Sequence, residues 1–156
     1  MTMTTIVSKA NYLAEIQVSY KTKVKPSERK KITQAKDCYD ILKEVWDMDN
    51  IEHVESAVLL LLNRTNQVLG WFKLSVGGVA GTVIDKKVIF QIALNANASH
   101  FIVSHNHPSG TLKASESDIR LTRDLKTAAK MLDLELLDHV IITSEGYISL
   151  ADEGLM

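Results

Sequence analysis

The apolar run Phe101-Ile102-Val103 leads into His105-Asn106-His107-Pro108, and Ser115-Glu116-Ser117-Asp118 follows shortly after. In an extended chain residues two apart face the same side, so His105 and His107 point at a common centre from the end of one strand. Pro108 has no N–H to give to a ladder and ends that strand. Ser115 reads as the N-cap of a helix carrying Ile119, Leu121, Leu125, Ala128, Ala129 and Leu132. Asp118 takes the third helical position, where a carboxylate favours the dipole. Capping alone accounts for Ser115 and Asp118, and a His-x-His beside Pro and Gly is most often a surface loop. The same spacing also lets two imidazoles and a carboxylate gather around one metal ion. Three nitrogen and oxygen ligands with a fourth position left to water are the donor set of a catalytic zinc, whereas four protein ligands make a structural one.

The rest of the chain reads as a mixture of strands and helices. Ile16, Val18, Tyr20, Thr22 and Val24 alternate with polar residues and predict a half-buried edge strand. A helix is predicted from about Thr33 to Trp46, then a buried strand from about Glu55 to Asn63. A turn at Arg64-Thr65-Asn66 and a strand from Val68 to Ser75 complete a hairpin. Gly77-Gly78 and Gly81 punctuate the next connection as backbone turns; they open no helix in the manner of a phosphate loop. Val88, Ile89, Ile92, Ala93 and Ala96 make a helical face ahead of the strand that delivers His105. Strands at Leu136 to Thr143 and Tyr147 to Leu150 flank a Glu145-Gly146 turn. The expected class is α/β, a mixed central β-sheet flanked by helices, without repeats.

At 156 residues, 46% apolar and with a net charge of −1, the chain has the length and composition of one compact domain. Its single cysteine excludes an internal disulfide framework and any Cys-rich zinc site, so His and Asp ligation is the metal chemistry left to it. Cys38 lies on an apolar helix face with Ala35, Ile41, Leu42, Val45 and Trp46 and reads as a buried thiol. The longest apolar run, Ala57 to Leu62, is far too short for a membrane span, and no signal peptide is apparent, so a cytoplasmic setting is expected. His139 reads as a satisfied core residue, with a contact behind a metal ligand as the alternative, and His53 and His100 as peripheral. Residues 1–31 are expected to form an N-terminal edge strand and basic segment. Its Lys21, Lys23, Lys25, Arg29, Lys30 and Lys31 discourage edge-to-edge aggregation, and any nucleic-acid binding through them is expected to be weak and salt-sensitive.

His-x-His-Pro followed by Ser-x-x-Asp resembles the JAMM motif of the MPN metalloprotease family. His105 to Gly110 and Leu136-Leu137-Asp138-His139-Val140-Ile141-Ile142 resemble the JAMM domain of the RadC proteins, over residues 32–156. The resemblance implies the MPN/JAMM (cytidine-deaminase-like) architecture. It also implies one zinc ion per chain with a bound water, held by His105, His107 and Asp118. Ser115 then corresponds to the serine that helps hold the tetrahedral intermediate. Glu55, just before the run Ala57 to Leu62, takes the place of the general base, with Glu52 a weaker candidate.

Three function classes follow. The favoured one is a zinc-dependent hydrolase of the JAMM type that cuts a peptide or isopeptide amide. The others are a nucleic-acid-associated factor of the kind the DNA-repair connotation of RadC suggests, and an MPN-like interaction domain without turnover. Zinc deaminases are excluded, because the chain has a single cysteine and so lacks Pro-Cys-x-x-Cys.

Overall fold

The computed structural model describes residues 13–77 and 83–156. Strands β1 (Ser56–Leu62), β2 (Val68–Val76), β3 (His100–Asn106), β4 (Glu135–Ile142) and β5 (Tyr147–Ser149) are interleaved with helices α1 (Ala35–Val45), α2 (Lys86–Asn95) and α3 (Glu116–Met131). The strands form one five-stranded sheet in the order β2-β1-β3-β4-β5. Only β3 and β4 are parallel, joined by the α3 crossover; the other neighbours are antiparallel. This is the expected α/β class, a mixed sheet between helices consistent with the MPN architecture.

The six-residue apolar run has a simple cause. Every residue of β1 is buried, because helices cover both faces of the sheet at that strand, and such strands read as continuous rather than alternating apolar segments. On one face Cys38, Ile41 and Leu42 of α1 pack on Val58, Leu60, Leu62, Ile102, Val140 and Ile142. On the other, Ile89 and Ala93 of α2 and Leu125 and Ala129 of α3 pack on Leu59, Leu61, Phe101, Val103 and Leu136. Each fully buried Leu or Phe contributes roughly 1.5–3 kcal/mol relative to leaving it in water.

Topology decides where a site can form. The crossover brings the N-terminus of α3 back over the C-terminal end of β3, the usual place for ligands in parallel α/β units. Because β1 runs antiparallel to β3, the start of β1 lies at that same end. Short turns hold the frame. In the β1–β2 hairpin the Asn63 side chain accepts from the N–H groups of Thr65 and Gln67, and Asn66 sits at φ 62°. Asp37 accepts from the backbone of Thr33 and Gln34 at the start of α1.

The predicted N-terminal edge strand is a correction. Leu13 to Lys25 forms no strand, and Ile16 is 84% and Val18 68% exposed. The chain does touch the outer edge of β2 farther on, where Lys31 bridges Gln67 and Val68 N–H donates to the Lys30 carbonyl at 2.8 Å. Just upstream, the 3-10 turn Pro26–Glu28 breaks the register, and proline at its start has no N–H to donate. Alternation specifies a strand only where a ladder continues. Of the predicted glycine turn, Gly78 and Gly81 lie outside the described residues. Among the described residues no helix is long and apolar enough to cross a membrane.

Cys38 is wholly buried on the inner face of α1, and burial pushes its thiol far above the usual range. A thiol reagent should therefore leave the native protein unlabelled and modify Cys38 fully once urea unfolds it. Rapid labelling of the folded chain contradicts this packing.

Candidate metal centre

Alternation along β3 sorts its last residues onto two faces. His105 points with Phe101 and Val103 toward α3, and Asn106 points the other way. His105 is 2% exposed; His107 and Asp118 form the rim, at 16% and 14% side-chain exposure. The two Nε2 atoms lie 3.1 Å apart. An Asp118 carboxylate oxygen lies 3.3 Å from His105 Nε2, and the other lies 3.6 Å from His107 Nε2. One ligand atom from each of the three residues falls within 4.8 Å of the other two. The structure thus brings together the three residues expected to bind metal.

The donor chemistry suits a cation. His107 Nδ1 lies 2.8 Å from the Thr111 carbonyl, which can only accept, so Nδ1 carries the proton and Nε2 presents a bare lone pair. The Pro108-Ser109-Gly110 segment makes this contact. Gly110 N–H donates to the His107 carbonyl at 3.0 Å, and Gly110 adopts φ 81°, a left-handed conformation that turns Thr111 back toward the ring. Lone pairs of nitrogen and carboxylate oxygen so close together repel unless positive charge sits among them. Charge follows the same logic. Burial opposes ionisation of Asp118, yet the facing imidazoles of His105 and His107 outweigh it and hold the carboxyl well below the usual carboxylate range. Asp118 raises the pKa of His107 against its desolvation, and Glu55 adds to that rise from farther away.

Ser115 caps α3 as expected. Its hydroxyl accepts from Asp118 N–H at 3.1 Å, and its own N–H donates to Asp118 Oδ2 at 2.7 Å. The capping box therefore fixes the carboxylate that faces the histidines. The Ser115 hydroxyl is exposed and lies 3.4 Å from the Ser117 hydroxyl.

Glu55 precedes β1 by one residue. Ala57 pairs with His105, and Glu55 lies two residues ahead of it, at the end of the sheet where the histidines sit. It is half-buried, and its carbonyl accepts from Gly77 N–H at 2.7 Å, which anchors its backbone to the end of β2. Glu52 is exposed, and its carboxylate accepts from the Ser144 hydroxyl at 2.6 Å, so it is engaged elsewhere.

Asn106 escaped the sequence reading, and His139 was left between two readings. Asn106, wholly buried, accepts from Ser56 N–H at 2.7 Å and donates to the Ile51 and Val54 carbonyls at 2.7 and 2.9 Å. That clamp fixes the turn ahead of Glu55. Its place on the opposite face from the two histidines follows from alternation, but its partners some fifty residues away do not. His139 is buried as expected of a core residue, yet its Nε2 lies 2.8 Å from His105 Nδ1, which is the alternative reading. The neighbouring Asp138 points to the other side, where it accepts from the Ser149 hydroxyl and from Ala151 N–H, tying β5 and the following turn to β4.

The profile of the RadC-like JAB domain family matches residues 32–155, a span that includes every residue of this centre. The chain belongs to that family. Among relatives of this RadC-like JAB domain, a UPF0758 protein of Flavobacterium johnsoniae is 42% identical over 126 residues, covering 81% of this chain and 54% of the relative. A UPF0758 protein of Porphyromonas gingivalis is 45% identical over 103 residues, 65% of this chain and 45% of its own length. One from Neisseria meningitidis serogroup B is 44% identical over 105 residues, covering 67% of this chain and 47% of the relative. The JAB domain studied in this chain thus spans about half the length of the relatives it matches.

Replacing Asn106 with Ala leaves Ser56 N–H and the Ile51 and Val54 carbonyls without their partner. Each buried group left unsatisfied costs about 1–3 kcal/mol, so urea denaturation should show a loss of at least about 2 kcal/mol. A loss below about 0.5 kcal/mol contradicts the clamp.

Proposed function

We propose that this chain is a zinc-dependent hydrolase of the JAMM type, cleaving a peptide or isopeptide amide bond. The observation that carries the reading is the convergence of His105 Nε2, His107 Nε2 and the Asp118 carboxylate, with Glu55 two residues ahead of Ala57, the ladder partner of His105. His105, His107 and Asp118 would hold the ion. When bound, zinc supplies Lewis acidity and lowers the pKa of a water to roughly 7.

The chain's own groups then divide the work. Glu55, free of ligation, takes a proton from the attacking water as its oxygen adds to the amide carbon, and passes that proton to the nitrogen as the carbon–nitrogen bond breaks. The Ser115 hydroxyl donates to the oxygen that gains charge, a contact worth roughly 3 kcal/mol in other enzymes. The capping box holds the Asp118 carboxylate in place, and the Thr111 carbonyl keeps a proton of His107 on Nδ1.

The basic N-terminal segment supports a nucleic-acid role less well. Lys30 pairs with Glu44, which removes one of its cations from phosphate binding.

Elemental analysis should find about one zinc per chain, and His105→Ala with His107→Ala should abolish it. Wild type that cannot be loaded with zinc sinks the reading. Glu55→Gln should keep full zinc content and lose on the order of 10²- to 10⁴-fold in peptide or isopeptide turnover. Unchanged turnover in that variant removes Glu55 as base. Ser115→Ala should lower turnover as well and cost about 1 kcal/mol of stability through the lost cap, so thermal melts must accompany its assay.

A further inference from the structure

Behind His105, away from the point where the ligand atoms converge, lie two wholly buried polar side chains, His139 on β4 and Thr122 on α3. Neither reaches the rim. We infer that Thr122 and His139 form a positioning relay that keeps the proton of His105 on Nδ1, so that its Nε2 faces the metal position as a bare lone pair. The inference rests on the zinc-site reading above.

The hydrogen bonds set the direction. Thr122 Oγ1 lies 2.7 Å from the Asp118 carbonyl, which can only accept, so the hydroxyl donates its single proton there. Only lone pairs remain for His139 Nδ1, 2.7 Å away, and that nitrogen must then be the donor. His139 is wholly buried and its two ring nitrogens face a hydroxyl and an imidazole, surroundings that favour the neutral ring. A neutral imidazole has one N–H, already given to Thr122, so Nε2 accepts from His105 Nδ1 at 2.8 Å. His105 Nε2 is left without a proton, opposite His107 Nε2 and Asp118. The reverse polarity takes the hydroxyl from the Asp118 carbonyl and places a proton on His105 Nε2, where it excludes a metal. Asp118 and Thr122 lie one turn apart on α3, so a single helix supplies both the third ligand and the end of the relay. Partners behind a ligating histidine commonly fix its tautomer in this way.

Two measurements test the relay. In zinc-loaded wild type, a long-range ¹H–¹⁵N correlation spectrum should show His139 protonated on Nδ1 and bare on Nε2. Competition against a chelator should show that His139→Leu lowers zinc affinity about 10- to 100-fold. His139→Gln should recover most of that loss, because its amide oxygen can accept from His105 Nδ1. A His139 protonated on Nε2 in the loaded protein overturns the relay, as does a folded His139→Leu that binds zinc like wild type. If His139→Leu does not fold, the spectrum of wild type decides alone. Zinc uptake by wild type with the wrong tautomer refutes only the relay; no uptake at all refutes the zinc site with it.

Discussion

The amide of Asn106 is the contact on which the rest of this centre depends. It sits between two histidines but on the opposite face of β3, where all its hydrogen-bonding capacity is spent on Ser56 and on the carbonyls of Ile51 and Val54. Those bonds fix the entry into β1. Because β1 runs antiparallel to β3, fixing its first residue also fixes Glu55 relative to His107. One strand end thus carries a histidine of the candidate metal centre on one side and the clamp for the entry into β1 on the other. A pleated strand can do this because its side chains alternate with period two.

Around the ligands the same economy of donors and acceptors recurs. His107 gives its back nitrogen to the Thr111 carbonyl, His105 to His139, and Asp118 takes the N–H of Ser115. Each of these three residues is thus held by a partner outside the cluster, with its remaining polar atoms turned toward the other two. Such a cluster is costly in the absence of a cation and favourable with one, so the fold presents a site whose electrostatics call for positive charge.

The sheet supplies the rigidity this needs. His105 is the last layer of the buried α3 face, continuous with Phe101 and Val103, so its position follows from core packing rather than from a loop. His107 and Asp118, at the rim, depend instead on a turn and a helix cap. The RadC-like JAB profile matches residues 32–155, and the chain spans about half the length of the relatives it matches.

Local patterns determined the parts of this protein that local chemistry governs. The apolar run of β1, the helical faces of α1, α2 and α3, the Ser115 cap and the His-x-His alternation were all legible, because period, cap and strand-ending proline are properties of neighbours in the chain. The clamp of Asn106, the turning of Thr111 onto His107 and the contact of His139 with His105 were decided only by the tertiary structure. They depend on which strands pair and in what register, and a register between segments fifty or thirty-four residues apart leaves no local signature. The N-terminal segment shows the converse. Its alternation was strong, but Pro26 and the turn after it break the ladder along β2, and a strand without a partner is only an extended chain.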